Sequence, residues 1–315
     1  MKHKVLVTCP PMLKQIDMFR EKFEHLDIEI TTPDVIQTLT VQELLDIVPH
    51  HHGWIIGDDP ATAEVFKAGK SGLLRAAVKW GIGVDNVDFE SCKKLSIPIV
   101  NTPNMFGSEV ADLAMCYILG LARDAFFIDR EVRIGNWPKP SGISLKGKTL
   151  GIIGLGDIGR NIAKRAYAHD LNIIGWDPYT DSLPEYIKYV DNWPDSIENC
   201  DFIVFACALN SDTHYLFNKS ILNRVKHGLR VINISRGPLI EEKSLIEGLT
   251  SGIIKSAALD VFESEPPSNE NIILKNPKCI LGSHNASNTI DAVIRASNKS
   301  IDLLYDMLKT GVNNE

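Results

Sequence analysis

The regular alternation of short apolar runs with segments of helical spacing most limits what this chain can fold into. Five β-branched apolar runs in the first hundred residues are predicted strands, namely Lys4–Thr8, Ile28–Ile30, Trp54–Ile56, Leu73–Val78 and Ile97–Val100. Strand, helix, strand repetition produces a parallel sheet covered by helices, so the chain is predicted to be an α/β protein. The opening run leads into Cys9-Pro10-Pro11 rather than a glycine-rich loop. This first series is therefore not expected to hold a nucleotide.

A second series of the same kind begins near residue 148, after a connection punctuated by proline and glycine at 135–142. Its predicted strands are Leu150–Ile153, Asn172–Trp176, Phe202–Ala206, Arg230–Ile234, Ser256–Leu259 and Cys279–Leu281. A last segment of helical spacing, Ile290–Leu308, could return to pack on the first series. The chain is thus expected to form two doubly wound parallel-sheet domains, the second inserted into the first.

A glycine-rich turn, Gly154-Leu155-Gly156-Asp157-Ile158-Gly159, opens the second series between a strand and a helix. Such a turn alone is a weak signal, but Asp177 ends the next strand, 177 − 159 = 18 residues after the last glycine. In dinucleotide-binding domains the glycines let backbone N–H groups approach a pyrophosphate, and the acid binds the ribose hydroxyls. A methyltransferase that binds S-adenosylmethionine also uses a glycine-rich loop and an acid, so the downstream residues must decide between the two.

Asp177 also bears on which dinucleotide is bound. Its carboxylate would repel a 2′-phosphate, and the following Pro178-Tyr179-Thr180 contain no cation to accept one. The sequence therefore favours NAD over NADP.

Polar residues follow three of the later predicted strands, where the carboxyl ends of a parallel sheet meet at one edge. Arg236, Glu265 and His284 are these residues. Each alone could be a surface or core residue, but together they have the properties that hydride transfer to an oxo acid requires. An imidazole can carry the proton, a carboxylate can stabilise and orient it, and a guanidinium can grip the substrate carboxylate.

A long apolar helical pattern over Val110–Leu121 precedes the second series. Its broad apolar surface fits either a helix buried within one domain or one that also contacts a second domain or subunit.

Composition excludes several other classes of protein. The 315 residues carry a formal charge of −7, so no overall positive field attracts nucleic acid or an anionic membrane. No apolar run reaches membrane-spanning length, and no metal site is expected from the spacing of cysteine and histidine. The six cysteines are scattered, so we interpret them as reduced thiols in a reducing compartment. The protein is therefore predicted to be soluble and cytoplasmic.

The sequence resembles the D-isomer-specific 2-hydroxyacid dehydrogenases, particularly short forms like phosphoglycerate dehydrogenase, almost from end to end. The resemblance is carried by Gly81-Ile82-Gly83-Val84-Asp85-Asn86-Val87-Asp88, Asn101-Thr102-Pro103, Val110-Ala111-Asp112-Leu113, 147–156, Asn233-Ile234-Ser235-Arg236-Gly237 and 259–266.

The resemblance implies a Rossmann NAD domain at 102–286, inserted into a flavodoxin-like substrate domain at 1–101 plus 287–315. It implies that Arg236, Glu265 and His284 are catalytic and that a homodimer forms through the helix from Ser108. NAD is implied to bind at the predicted turn and nearby strand ends, namely Gly154, Gly156, Asp157, Ile158, Gly159, Asp177, Ile234 and Asp260, with Asp260 contacting the nicotinamide amide. The backbone at Ile82 and Gly83 is implied to hold the substrate carboxylate.

The substrate tail is less certain. By resemblance, Lys79 occupies a position that binds phosphate in phosphoglycerate dehydrogenases. The strand end that often supplies a further arginine reads Ile56-Gly57-Asp58-Asp59, whose carboxylates would oppose a phosphate unless they point away or pair with Lys79. A polar-tailed 2-hydroxy acid is expected, with 3-phosphoglycerate as the leading candidate and a hydroxypyruvate-like or sugar-derived acid as its rival.

A second class of function remains open at this point. The same fold in this family also serves catalytically weak, NAD-sensing binding proteins. The complete set of Arg236, Glu265 and His284 favours an NAD-dependent oxidoreductase that interconverts a D-2-hydroxy acid and its 2-oxo acid.

Overall fold

In the computed structural model, which describes residues 2–180 and 182–312, the chain forms two compact units. Unit 1 combines Met1–Phe106 with Ser287–Glu315, and unit 2 is Gly107–Ala286. The domain boundaries predicted from the sequence, where the chain passes from one domain to the other, follow residues 101 and 286. Residues 1 and 313–315 of the expected substrate domain, and residue 181 of the expected NAD domain, lie outside the described residues.

The described residues contain twelve strands, five in unit 1 and seven in unit 2. They are β1 (His3–Val7), β2 (Ile28–Thr31), β3 (Gly53–Ile56), β4 (Ala76–Lys79), β5 (Ile99–Asn101), β6 (Thr149–Ile153), β7 (Asn172–Trp176), β8 (Ile187–Tyr189), β9 (Phe202–Phe205), β10 (Leu229–Asn233), β11 (Ile254–Leu259) and β12 (Cys279–Leu281).

Eleven α-helices connect or follow these strands within the described part of the chain. They are α1 (Pro10–Lys14), α2 (Arg20–His25), α3 (Val41–Ile47), α4 (Ala63–Ser71), α5 (Phe89–Lys94), α6 (Gly107–Arg123), α7 (Ala125–Arg133), α8 (Asp157–Ala168), α9 (Lys219–Leu222), α10 (Glu242–Ser251) and α11 (Ile290–Val312).

Unit 1 is built on a parallel sheet in the order β2-β1-β3-β4-β5, the flavodoxin-like order. The predicted return of the last helix is confirmed, because α11 packs on β3 and β4. Gly53 of β3 permits this approach, since a Cβ there would lie 2.9 Å from Leu304 Cδ2. The Trp80 indole N–H, just after β4, donates a 3.1 Å hydrogen bond to Ser297 Oγ on the same helix.

Unit 2 is built on a parallel sheet in the order β12-β11-β10-β9-β6-β7-β8. The chain runs outward from β6 to β8 on one side and from β9 to β12 on the other, so the strand order reverses beside β6. Strands β9 and β10 are buried throughout, as expected for a sheet covered on both faces. Ligands of such sheets bind outside the carboxyl ends of the strands at this point of reversal.

Helix α6 packs inside unit 2, against α8 and against β10, β11 and β12. Ala111, Ala114 and Ile118 on its inner face are fully buried. Burial within the domain therefore accounts for most of the broad apolar surface that the sequence shows. Leu119, which is 38% exposed, and the exposed Cys116 lie on its outer side.

The sequence misplaced or missed a few elements. The strand predicted at Leu73–Val78 begins only at Ala76, and neither β8 nor α7 is predicted from the sequence. β8 has three residues and α7 directly follows α6, so neither produces a separate periodic pattern long enough to detect. No helix in the described part of the chain has the length and apolar character that a membrane span requires.

Candidate active site

Two glycines that leave no room for a side chain shape the turn after β6. Gly154 has φ +91°, which favours glycine, and a Cβ there would lie 2.6 Å from Cys207 N. A Cβ on Gly159 would overlap the Gly154 carbonyl oxygen. Gly156 differs, because a Cβ there would meet nothing within 4 Å. The turn therefore holds the start of α8 against β6 and leaves an open face beside Gly156 that fits a dinucleotide phosphate.

Asp157 and Ile158 are the first two residues of α8, whose N–H groups point out of the helix start. The Asp157 side chain accepts a 3.0 Å hydrogen bond from the Asn161 amide. It also lies against Gly107 at the start of α6, where a Cβ would overlap the carboxylate. The geometry therefore offers a phosphate the backbone of Asp157 rather than its side chain.

Asp177 follows β7, and backbone N–H groups bind both of its carboxylate oxygens. Leu155 N donates to Oδ2 at 2.7 Å and Tyr179 N donates to Oδ1 at 2.8 Å. Sequence reasoning missed a cation here, because Arg160 comes from a different element. Its guanidinium donates to Leu155 O at 2.7 Å and to Thr180 Oγ1 at 2.9 Å. The absence of a cation just after Asp177 therefore does not mean that none lies near.

The carboxyl ends of β10, β11 and β12 are neighbours in the sheet. Five predicted site residues follow these ends, namely Ile234, Arg236, Asp260, Glu265 and His284. The structure therefore places the three predicted catalytic residues along one edge of unit 2.

The backbone after β10 is held in a tight turn by Asn233. Its Oδ1 accepts from Ser235 N at 3.1 Å, and its Nδ2 donates to Arg236 O at 2.8 Å. A Cβ on Gly237 would overlap the carbonyl group of Phe262, so glycine lets this turn touch the loop after β11. The Arg236 guanidinium donates a 2.9 Å hydrogen bond to Ser235 O.

Glu265 and His284 form a direct pair. His284 Nδ1 lies 2.7 Å from Glu265 Oε2, and Phe262 N donates to Glu265 Oε1 at 3.0 Å. Both side chains are about one-quarter exposed, at 25% for His284 and 23% for Glu265. The carboxylate is thus anchored by backbone and directs Nδ1 toward itself, which leaves Nε2 as the nitrogen that can exchange a proton with a ligand.

The turn that carries His284 depends on Asp260. His284 has φ +54°, an unusual conformation for a non-glycine residue, and its N–H donates to Asp260 O at 2.6 Å. The buried Asp260 carboxylate accepts from Ala286 N at 2.8 Å. Burial raises the pKa of Asp260, while the N–H donors of this turn oppose that rise. Asp260 therefore holds the His284 turn by two hydrogen bonds, one through its carbonyl oxygen and one through its carboxylate.

Tyr117 is a residue of this site that sequence reasoning missed. Its hydroxyl, on α6, lies 3.3 Å from Asp260 Oδ1. A Cβ on Gly282 would overlap Asp260 Oδ1, so glycine is required for this close packing. Tyr117 lies within the apolar helical pattern Val110–Leu121, but periodicity carries no information about where its hydroxyl points.

The remaining predicted residues lie at the carboxyl edge of the unit 1 sheet. Ile82 is 42% exposed and Gly83 is half-buried. Asn101 Nδ2 donates to Ile82 O at 3.2 Å, so the end of β5 holds this segment. Lys79, at the end of β4, is buried and paired with Asp58. Among the described residues, no group of three or more histidine, cysteine, aspartate or glutamate side chains could hold a metal ion.

Comparison with known proteins identifies the family. The sequence profile described as "D-isomer specific 2-hydroxyacid dehydrogenase, NAD binding domain" matches residues 115–286. The chain belongs to this family. The predicted family and α/β fold are thereby confirmed, and NAD is the dinucleotide of unit 2. The members of this family are NAD-dependent oxidoreductases of D-2-hydroxy acids, which confirms the predicted class of enzyme.

The chain is similar to relatives with two different names. It is 32% identical to the hydroxypyruvate reductase of Thermotoga maritima over 90% of this chain and 92% of that protein. It is 34% identical to the D-3-phosphoglycerate dehydrogenase of Methanocaldococcus jannaschii over 92% of this chain. The chain spans about half the length of the archaeal phosphoglycerate dehydrogenases it matches, 54% and 57%.

Solved structures agree with the fold. The crystal structure of the TT0316 protein from Thermus thermophilus matches with a TM-score of 0.87 and 27% identity, over 98% of this chain and 97% of that one.

Proposed function

We propose that the chain interconverts a small, polar-tailed D-2-hydroxy acid and its 2-oxo acid, with Arg236, Glu265 and His284 as its catalytic residues. The observation that carries this proposal is the 2.7 Å pair between His284 Nδ1 and Glu265 Oε2. That pair lies on the sheet edge that also bears Arg236 and the glycine-rich turn. An imidazole oriented by an anchored carboxylate is suited to proton transfer, which favours an enzyme over a binding protein on the same fold.

In the direction of reduction, His284 Nε2 donates a proton to the oxygen of the substrate carbonyl. Glu265 stabilises the imidazolium before transfer and fixes the orientation of the ring. A bound nicotinamide cofactor would supply the hydride as NADH in this direction and would accept it as NAD in the reverse direction. In the direction of oxidation, the same nitrogen removes the hydroxyl proton, so one residue serves both directions.

Arg236 is proposed to bind the carboxylate of the substrate. Its guanidinium can bind the carboxylate with two hydrogen bonds while it polarises the adjacent carbonyl. The backbone of Ile82 and Gly83 is proposed as a second anchor for the same carboxylate. Asp260 is proposed to hold the nicotinamide amide.

The substrate candidates are 3-phosphoglycerate and a hydroxypyruvate-type acid, because relatives of similar identity carry both names. The test is NADH oxidation by the purified protein against hydroxypyruvate, glyoxylate, pyruvate and 3-phosphohydroxypyruvate. Turnover with at least one acid of this panel supports the function. NADH binding without turnover of any of them would instead favour an NAD-sensing binding protein.

A homodimer through α6 is also part of the proposal. Leu119 on α6 and several residues just beyond it expose apolar surface, namely Phe126, Val132, Ile134 and Trp137. A second copy of the chain would cover such surface. Sedimentation equilibrium of the wild-type protein and of Leu119→Glu tests the dimer, which the charged side chain is expected to dissociate.

A cytoplasmic location is also part of the proposal. All six cysteines are free, which fits that location.

A further inference from the structure

The Lys79 side chain is buried and already has an ionic partner. It is 2% exposed, and its ammonium lies 2.6 Å from Gly57 O and 3.0 Å from Asp58 Oδ1. A buried ammonium is costly unless a carboxylate and other acceptors compensate for its lost hydration. The contacts therefore hold Lys79 against the turn after β3, and a ligand anion would have to compete with Asp58 for it.

The same ammonium borders the segment proposed to hold the substrate carboxylate. A Cβ added to Gly81 would lie 3.9 Å from Lys79 Nζ. Gly81 N donates to Thr102 Oγ1 at 2.8 Å, which fixes the start of the segment. A ligand bound to the backbone of Ile82 and Gly83 therefore has the Lys79–Asp58 pair as a close neighbour.

The turn after β3 leaves no room for a side chain at position 57, so a cationic residue cannot stand there beside Lys79. A Cβ on Gly57 would lie 2.8 Å from Thr8 O and 2.9 Å from Cys9 Cα, and backbone atoms cannot swing aside as a flexible side chain can. Asp59 is fully buried and accepts hydrogen bonds from Leu39 N at 2.9 Å and from Gly57 N at 3.2 Å. Asp59 is thus turned into the core, and Asp58 is the charged group that this turn leaves partly exposed.

These charges suit an uncharged ligand group better than a phosphate. A phosphate monoester carries a charge of about −1.5 to −2 at neutral pH and needs cations that are not already paired. Here the Lys79 ammonium already has a carboxylate partner in Asp58, whose side chain is 38% exposed. A hydroxyl group can donate a hydrogen bond to that carboxylate, whereas a phosphate is repelled by it.

We infer that Asp58 is a specificity-determining residue, which accepts a hydrogen bond from a hydroxyl on the third carbon of the substrate and excludes the phosphate ester. The inference rests on the proposed function and narrows its substrate class to unphosphorylated acids of the hydroxypyruvate type. The resemblance implied that Lys79 binds a phosphate. In this inference Lys79 is instead the counter-ion of Asp58.

The experiment compares kcat/KM with NADH for hydroxypyruvate, 3-phosphohydroxypyruvate and glyoxylate, which has no third carbon. We expect the wild-type enzyme to prefer hydroxypyruvate over its phosphate ester by about tenfold or more. Asp58→Asn keeps the shape but removes the charge, so the preference should fall by about tenfold, mainly through a gain for the phosphate ester. Glyoxylate has no tail group, so a change in its kcat/KM measures the effect on the rest of the site, and the gain for the phosphate ester should exceed that change by about tenfold.

Two further variants isolate the cause. Lys79→Met in the Asp58→Asn background should abolish the gain for the phosphate ester, because that gain depends on the released ammonium. Glu64→Gln, on an exposed position of α4, makes the same change in net charge and should leave the preference unaltered. Circular dichroism and the unfolding midpoint verify that each variant is folded.

The possible failures are distinguishable. If no substrate is turned over by the wild-type protein, the proposed function is wrong and this inference falls with it. If turnover occurs but the wild-type protein prefers the phosphate ester, or if Asp58→Asn leaves the preference unchanged, only the role of Asp58 is wrong.

Discussion

The two units carry sheets of the same parallel kind, yet their carboxyl edges are built differently. In unit 2 the edge is shaped by glycines that let backbone segments touch, and its functional side chains follow consecutive strands. In unit 1 the corresponding edge carries polar residues that pair with one another, such as the buried Lys79 with the partly exposed Asp58. The partner therefore decides what a polar residue at a strand end can do, because Glu265 orients His284 whereas Asp58 holds Lys79 in an ion pair.

Substitution of the glycines at the unit 2 edge should have the largest effects. Gly159→Ala should destabilise unit 2 by about 3 kcal/mol or more, because its Cβ would overlap the Gly154 carbonyl oxygen. Gly156→Ala should leave the unfolding midpoint nearly unchanged, because its Cβ meets only open space, but should weaken NADH binding by about 100-fold. Urea unfolding and NADH fluorescence titration measure the two effects. Equal losses of stability in both variants would contradict the distinction.

The preference for NADH over NADPH tests the role of Asp177 at the unit 2 edge. We expect the wild-type enzyme to prefer NADH over NADPH by about 100-fold and Asp177→Ala to reduce that preference by about tenfold. The Arg160 guanidinium, which binds Leu155 O and Thr180 Oγ1 beside Asp177, is then available to a 2′-phosphate. Arg160→Ala added to Asp177→Ala should remove the gain with NADPH. Equal use of both cofactors by the wild-type enzyme would refute the role of Asp177.

Glu265→Gln tests whether the pair on the unit 2 edge acts as described. Reduction needs a protonated His284, and a neutral amide stabilises the imidazolium less than a carboxylate does. The pH optimum for oxo-acid reduction should therefore move to lower pH, and the rate at neutral pH should fall by about tenfold. An unchanged pH–rate profile would show that Glu265 is not the partner of His284.

Unit 1 should be the more acid-sensitive of the two units. Burial lowers the pKa of His51 and of His52, with His3 and Arg75 adding to the effect on His52. These histidines stabilise unit 1 while neutral, so this stability is present above about pH 6.5, the unfolded value, and is lost as the pH falls toward their lower folded pKa.

Hydrogen exchange at pH 7.5 and pH 5.5 measures this difference, with a several-fold greater loss of protection expected in β1 and β3 than in β6 and β9. His52→Asn is the matched control, because its side-chain oxygen can still accept the hydrogen bond from Lys4 N that His52 Nδ1 now accepts at 2.9 Å. Uniform loss of protection in both units would contradict the assignment.

The elements that sequence could predict are those with strong local patterns. The strand and helix alternation predicted the class of fold, and the G-x-G-x-x-G turn with Asp177 predicted the dinucleotide. Arg236, Glu265 and His284 were predicted as catalytic because each follows a strand that the pattern identifies, and that role stays a prediction.

Other features depend on contacts between distant segments and leave no local signal. Arg160 reaches Thr180 from another element, and Tyr117 reaches Asp260 across 143 positions of sequence. The pairing of Lys79 with Asp58 likewise depends on which way two side chains turn. The sequence could state that the Asp58 and Asp59 carboxylates either pair or point away, but only the packing distinguishes the two.

In the proposed function, His284 carries the proton and the glycine-rich turn of unit 2 binds the cofactor. Turnover and NADH affinity of His284→Ala, measured on the same preparation, test it most directly, with His227→Ala at an exposed position of unit 2 as the control. We expect a loss of turnover of about 1,000-fold with NADH affinity within about threefold of wild type, and no loss in the control. Retained turnover, or loss of NADH affinity without loss of turnover per bound cofactor, would contradict it.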